Sequence, residues 1–155
     1  MAEVYQLKYL TGRRLKVFLA VADRIVPADA EGPGAGNMAT AGVVDWALGR
    51  IDPALRSQIL MLLIALEFLG VLFGGRPFTR NSAAAQDREL KFLENSPVRV
   101  LRLGFFGIKS YACMGYYARE DTWKSMGYEG PLVPDRPFPD DVVRALCQGR
   151  IEVVA

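Results

Sequence analysis

Hydrophobic positions recur at helical spacing along most of the chain. From Leu15 to Val26 they fall three and four residues apart, which predicts an amphipathic helix that Thr11 can cap and Pro27 ends. After an exposed connection at 28–40, a second helix is predicted from Thr40 to Leu48. No alternation of period two is long enough to define a sheet, so the pattern predicts an all-α fold.

The longest apolar run predicts a central helix. Asp52 before Pro53 is a start signal, and the pair Gly74 and Gly75 is an end signal. Its inward positions are expected to be Leu55, Ile59, Leu62, Leu63, Leu66, Leu69 and Phe73. The opposite side is also apolar, at Leu60, Met61 and Ile64. We therefore expect this helix to be surrounded within the domain or shared with another chain. Its apolar run, 59–73, is shorter than the roughly 20 residues of a membrane span, which predicts no transmembrane segment.

Three further helices are expected in the second half of the chain. They are predicted over 82–94, from Ser96-Pro97 to Tyr117, and from Pro139 to Gly149, with a single turn near 121–126. The whole chain, 1–155, is expected to be one domain of about five to six helices. Residues 1–10 are predicted to be an N-terminal arm, and 127–139 an irregular, proline-rich loop that docks a partner.

Composition narrows the classes of function. Hydrophobic residues make up 51% of the chain and charged residues 23%, and part of this apolar excess is expected to face a partner. The net charge is +2 and the basic residues are scattered, which argues against nucleic-acid binding. The chain has no histidine, the commonest general base and transition-metal ligand, and its two cysteines, Cys113 and Cys147, are too far apart for a zinc or iron–sulfur motif. They are expected to be buried thiols or one disulfide.

A few residues could carry chemistry of their own. Glu67 is a carboxylate inside an apolar helix, where it is expected to reach a basic partner or the surface. Two acidic pairs, Glu120 with Asp121 and Asp140 with Asp141, are expected to complement helix starts rather than to act as acid and base. The glycines at 32, 34 and 36 follow a helix rather than a strand, so they are interpreted as a linker and not as a phosphate loop. A stand-alone enzyme that uses Glu67 or a carboxylate pair is the less favoured alternative.

Aromatic residues concentrate near the C-terminus. Tyr111, Tyr116, Tyr117, Trp123 and Tyr128 lie within 18 residues of one another. Such a cluster can fill one end of the chain's own core or form a protein interface, and the residue types leave both open. The irregular stretch that follows needs something to pack against, which favours the interface.

Three stretches of the chain resemble a known family. The C-terminal one, MGYYAREDTWKSMGYEGP at 114–131, is similar to the C-terminal signature of the gluconate 2-dehydrogenase subunit 3 family. The others, LKVFLAVADRIVPAD at 15–29 and VVDWAL at 43–48, resemble that family's first helix, proline stop and second helix. Members of this family are small subunits of large FAD-dependent dehydrogenases of the glucose-methanol-choline (GMC) type.

The resemblance implies a non-catalytic accessory role in an oxidoreductase complex. The large subunit would hold FAD and oxidise the CH–OH group of a sugar or another alcohol, and a cytochrome or other electron carrier is a further candidate partner. This chain is expected to hold no cofactor, no metal and no catalytic residue. The residues that the motif assigns to the partner interface are Tyr116, Tyr117, Trp123, Gly127, Tyr128, Gly130 and Pro131. We call 115–131 the aromatic segment.

Two alternatives accompany this expectation. The chain could instead be a peripheral membrane or electron-carrier docking module, in which 59–73 contacts lipid. Its location is also open, because many family members carry a twin-arginine leader, whereas Arg13 and Arg14 here precede an amphipathic helix. We expect a cytoplasmic protein, or a periplasmic one if it is exported with a partner or its leader was removed.

Overall fold

The computed structural model describes residues 4–30, 32–130 and 140–155. In this part the chain forms a single helical domain, which confirms the all-α prediction. It has seven α-helices and two short strands, because the turn predicted near 121–126 begins with a four-residue helix of its own. In chain order the elements are β1 (Val4–Gln6), α1 (Gly12–Ile25), α2 (Met38–Leu48), α3 (Pro53–Gly74), α4 (Ala83–Glu94), α5 (Arg99–Tyr117), α6 (Glu120–Trp123), α7 (Asp141–Cys147) and β2 (Glu152–Val154).

The N-terminal ends of α2 and α3 show why these helices begin where they do. Asn37 caps α2, since its Oδ1 accepts a hydrogen bond from the Thr40 amide at 3.0 Å. The prediction that Thr40 is the cap is therefore wrong by three positions, and its side chain is buried instead. Asp52 caps α3 as predicted, with its Oδ1 accepting from the Ala54 amide at 2.8 Å.

Helix α3 is the longest helix of the described chain, with 22 residues, and it packs against α1, α4 and α5. It ends at Gly75, whose φ of +73° is a left-handed conformation that glycine adopts without strain. Within the described residues, α3 alone is long and apolar enough to cross a bilayer, a test that core helices of soluble proteins also pass. Its phase differs from the prediction, because Leu55 is exposed and Leu60 is buried.

The two strands join the ends of the described chain. β1 pairs in parallel with β2, with Tyr5 opposite Val153, and the Leu7 amide extends the pairing by donating to the Val154 carbonyl at 3.0 Å. The side chain of Val153 lies over Gly42 in α2, where a Cβ would come within 2.7 Å of it. Part of the predicted N-terminal arm is therefore a strand that packs against the helical core.

The connection between α1 and α2 is more compact than expected. Ala35 is completely buried, and its amide donates to the Val26 carbonyl at 2.8 Å. Gly34 is also buried, with φ of +70°, and an added Cβ would come within 2.5 Å of the Ala28 amide. The prediction of an exposed connection is wrong at Gly34 and Ala35, because glycine lets this backbone fold back on itself.

Candidate functional site

The aromatic segment begins in the last turn of α5 and continues through α6. A single 3-10 turn, Lys124–Met126, follows α6 and ends at Gly127, whose φ is +66°. Thr122 is buried inside this arrangement, and its hydroxyl donates to the carbonyls of Tyr116 and Arg119. These bonds fold α6 back against the end of α5.

Arg119 ties the aromatic segment to the rest of the domain. Its buried guanidinium donates to Asn37 Oδ1 at 2.7 Å and to Thr40 Oγ1 at 3.0 Å, and it pairs with Asp121. One side chain thus links α5 and α6 to the beginning of α2. The role of Arg119 was not predicted from the sequence, where its one local signal is an acidic residue two positions later, Asp121.

Tyr116 is the expected interface residue that the structure places inside the domain. It is only 5% exposed and belongs to the main core. Its hydroxyl lies against the backbone of Gly32, where a Cβ would approach it within 2.6 Å. Tyr116 therefore anchors the aromatic segment in the core of the domain, and its side chain is too buried to contact a partner.

Tyr117 and Tyr128 are the aromatic side chains that face outward, at 49% and 47% exposure. The half-buried Trp123 holds them together, since its Nε1 donates to the Tyr117 carbonyl at 3.0 Å. Its ring also meets the Tyr128 ring edge to face, with the two centroids 5.1 Å apart. The structure therefore brings these three interface candidates together in one surface cluster.

The glycines of the segment have separate roles. Gly127 lies in open space and turns the chain after the 3-10 helix. Gly130 has φ of +116°, and an added Cβ would lie 3.6 Å from the Trp123 ring. Pro131 and the rest of the predicted docking loop, 131–139, lie outside the described residues.

The carboxylates considered for catalysis have structural surroundings. Glu67 is buried and accepts hydrogen bonds from the Thr79 amide at 3.0 Å and the Thr79 hydroxyl at 2.8 Å. Among the described residues it therefore pairs with no basic side chain, and it does not reach the surface. Asp140 caps α7 by accepting from the Val142 amide and also pairs with Arg50, and these contacts hold the pKa of Asp140 below its usual value.

Glu89 of α4 was not predicted to matter, yet its environment is the most unusual of any carboxylate described. Its side chain is 0% exposed and neither of its oxygens has a hydrogen-bond partner. Burial, with a smaller contribution from the charge of Glu67, raises its pKa to about 8. Because no substrate can reach it in this fold, we assign Glu89 to stability rather than to catalysis.

A cavity of about 450 Å³ lies near β1, and several of its polar side chains bond to one another or to the backbone. The buried Asp45 accepts hydrogen bonds from the Tyr5 hydroxyl and from three successive backbone amides, those of Lys8, Tyr9 and Leu10. Arg50 lies over the Trp46 ring, 4.3 Å from its centroid, and pairs with Asp140. Asp45 thus fixes the N-terminal chain to α2, a role that its place in VVDWAL did not reveal.

Neither a metal site nor a disulfide is formed by the described residues. No three His, Cys, Asp or Glu side chains of this part of the chain converge on one point. Both cysteines are free, and burial raises the pKa of the Cys147 thiol to about 11.

Comparisons of the chain with protein-family models, curated proteins and solved structures give no match.

Proposed function

We propose that this chain is a non-catalytic accessory subunit that binds and stabilises a large FAD-dependent dehydrogenase of the GMC type. The proposal rests on the resemblance to gluconate 2-dehydrogenase subunit 3. The observation that carries it is the surface cluster of Tyr117, Trp123 and Tyr128, in which two tyrosines are about half exposed. Aromatic side chains in a fixed arrangement are typical anchors of protein interfaces.

In this proposal the partner carries out the reaction and this chain does not. The partner holds FAD and removes hydride from the CH–OH group of a sugar or another alcohol, while this chain contributes only binding surface. Arg119 is a positioning residue, since it fixes the aromatic cluster against α2 without being exposed itself. In this proposal the identity of the partner determines which electron carrier the complex uses and in which cellular compartment it lies.

Copurification tests this function. A tagged form of the full chain, expressed in its native host, should carry a yellow partner that releases FAD and that mass spectrometry identifies as a GMC-type dehydrogenase. Tyr128→Ala should weaken the complex by about 2 kcal/mol, the loss typical of an interface anchor. Leu55→Ala, an equally exposed apolar residue at the start of α3, is the matched control and should leave the affinity unchanged. A colourless monomer without a flavoprotein partner would refute the proposal.

Membrane docking through α3 is a second candidate, favoured by one observation. Only 28% of the most apolar window of α3 is buried inside the domain. Flotation of the isolated chain with phospholipid vesicles, with no flavoprotein present, would support this candidate and contradict the first.

A further inference from the structure

A further exposed apolar surface lies outside the aromatic segment, on α3 and α5. On α3, positions 61, 68 and 72 fall within about 40° of one another around the helix axis. On α5, positions 100, 103 and 106 also lie on the outward side. We call these six residues the apolar face, and their exposed fractions range from 53% to 80%. Its members are Met61, Phe68, Leu72, Val100, Leu103 and Phe106.

The two halves of the apolar face adjoin each other. Gly104 of α5 meets Leu62 of α3 so closely that an added Cβ would come within 2.4 Å of the leucine side chain. The helices therefore touch along their sides, and their outward surfaces continue into one another. With about 100 Å² exposed per side chain, the face amounts to roughly 600 Å², the upper end for a monomer and close to one side of a standard interface.

The apolar face continues into the aromatic segment. Met114 and Tyr117 extend the outward stripe of α5 beyond Phe106, and both are exposed. The surface cluster of Tyr117, Trp123 and Tyr128 is thus the end of a longer apolar surface. A partner held by the cluster is in reach of the apolar face as well.

The charged residues of α3, α5 and the turn after α3 are almost all basic, whereas Glu94 of α4 lines the groove beside the apolar face. In 53–80 and 99–117 the only acidic residue is Glu67, which is buried against Thr79. Four exposed arginines lie in these two ranges, namely Arg76, Arg80, Arg99 and Arg102. A second copy of the chain would bring these like charges together across a two-fold axis, which disfavours self-association. A partner with acidic residues around an apolar centre is complementary to this surface.

A groove beside α5 gives the apolar face a definite shape. It encloses about 480 Å³, and its lining combines the apolar Leu103, Phe105 and Phe106 with the charged Glu94, Arg102 and Lys109. Glu94 already neutralises Lys109 through an ion pair at 2.8 Å, whereas Arg102 donates to the Ser96 carbonyl and keeps further donors free. A protein can insert one apolar side chain into such a groove, whereas a lipid surface makes no use of its shape.

We propose that the flavoprotein partner docks on the apolar face, with an apolar side chain in the groove beside Phe106 and a neighbouring carboxylate on Arg102. This inference rests on the proposed function and names the surface that carries most of the binding. The aromatic cluster then forms one end of the interface. The partner's contact surface should consist of apolar residues surrounded by Asp and Glu.

The test is titration of the chain into the flavoprotein that copurifies with it. Phe106→Ser and Arg102→Glu should each weaken the affinity at least tenfold, and Arg102→Glu should also reduce its dependence on salt. Leu55→Ser is the control and should stay within twofold of the native chain. Phe106 and Leu55 are exposed, so the thermal midpoints of Phe106→Ser and Leu55→Ser should match that of the native chain. Arg102→Glu also loses the bond to the Ser96 carbonyl, so its affinity is measured well below its own midpoint.

The outcomes separate this inference from the proposed function. If Tyr128→Ala weakens the complex while Phe106→Ser and Arg102→Glu do not, the apolar face is not the docking surface and the accessory function stands. If no flavoprotein binds, both proposals fail. Binding of the isolated chain to vesicles of equal parts phosphatidylglycerol and phosphatidylcholine, or dimerisation in sedimentation equilibrium, with either lost in Phe106→Ser, would assign the face to lipid or to a second copy and overturn the inference.

Discussion

Glu89 ties the stability of this domain to pH. In the folded chain its carboxyl keeps a proton up to a pKa of about 8, whereas in the unfolded chain it ionises above about 4.5. The folded state therefore binds more protons than the unfolded state between these values. The contribution of Glu89 to the free energy of unfolding is therefore most favourable below pH 4.5, and it is lost as the pH rises to about 8.

We expect Glu89→Gln to remove this pH dependence. In the native chain the loss should reach on the order of 3 kcal/mol between pH 4.5 and 7, and the neutral amide of the variant should not show it. Urea unfolding at pH 5, 7 and 9 measures the difference. Glu94→Gln on the same helix, where the carboxylate is half exposed, is the control, and its free energy of unfolding should change with pH as that of the native chain does. If the free energy of unfolding of Glu89→Gln also changes with pH as in the native chain, Glu89 is not the source of the pH dependence.

Single residues also show where sequence patterns lose information. Thr40 was expected to cap a helix and Tyr116 to meet a partner, yet both are buried and bonded or packed within the domain. Threonine and tyrosine each suit a surface and a satisfied interior position, because both carry one polar group on an apolar frame. Which of the two positions applies depends on a residue that is distant in the sequence. For Thr40 this residue is Arg119.

At the scale of helices, the ends were easier to predict than the buried faces. Asp52, Pro53 and Gly75 determine the limits of α3 through local chemistry that the sequence displays directly. The face of α3 turned inward depends on its neighbours, and because apolar residues surround most of its circumference, the pattern could not define the phase. The exposure of Leu55 and the burial of Leu60 are the result.

Glycines in α3 and α5 give a matched test of helix packing. A Cβ on Gly70 would come within 2.3 Å of the Phe78 amide nitrogen, whereas a Cβ on Gly107 would have no atom within 4 Å. We expect Gly70→Ala to destabilise the isolated chain by about 2 kcal/mol through overpacking. Gly107→Ala should stabilise it by about 0.5–1 kcal/mol, since alanine loses less backbone entropy in a helix. Thermal or urea unfolding reports both, and the same sign for the two changes would contradict the packing described.

For the whole molecule, the sequence predicted the helical class and a single domain but missed the contact between the chain ends. Strands of three residues are too short to show an alternating pattern, and their partner lies at the far end of the sequence. The proposed docking surfaces were only partly predicted. The apolar excess pointed to a partner, but the side-by-side placement of α3 and α5 is a tertiary feature.

Val153 measures how much this terminal contact matters. It packs against the main core and against a second cluster between α2 and α7, formed by Val43, Val143, Leu146 and Cys147. Val153→Ala should therefore lower the free energy of unfolding by about 1–2 kcal/mol. Val142→Ala removes the same atoms from an exposed position of α7 and should change it by less than about 0.5 kcal/mol. Urea unfolding distinguishes the two. Equal effects would mean that β2 contributes nothing to the core.

The pairing of β1 with β2 also bears on how the protein is made. During synthesis β1 leaves the ribosome first, and the strand that pairs with it emerges only after all seven helices described. Until then the surface of α2 around Gly42 lacks the cover that Val153 provides. Nascent chains interrupted before residue 152 therefore expose apolar surface of α2, and we expect chaperones and proteases to act on them.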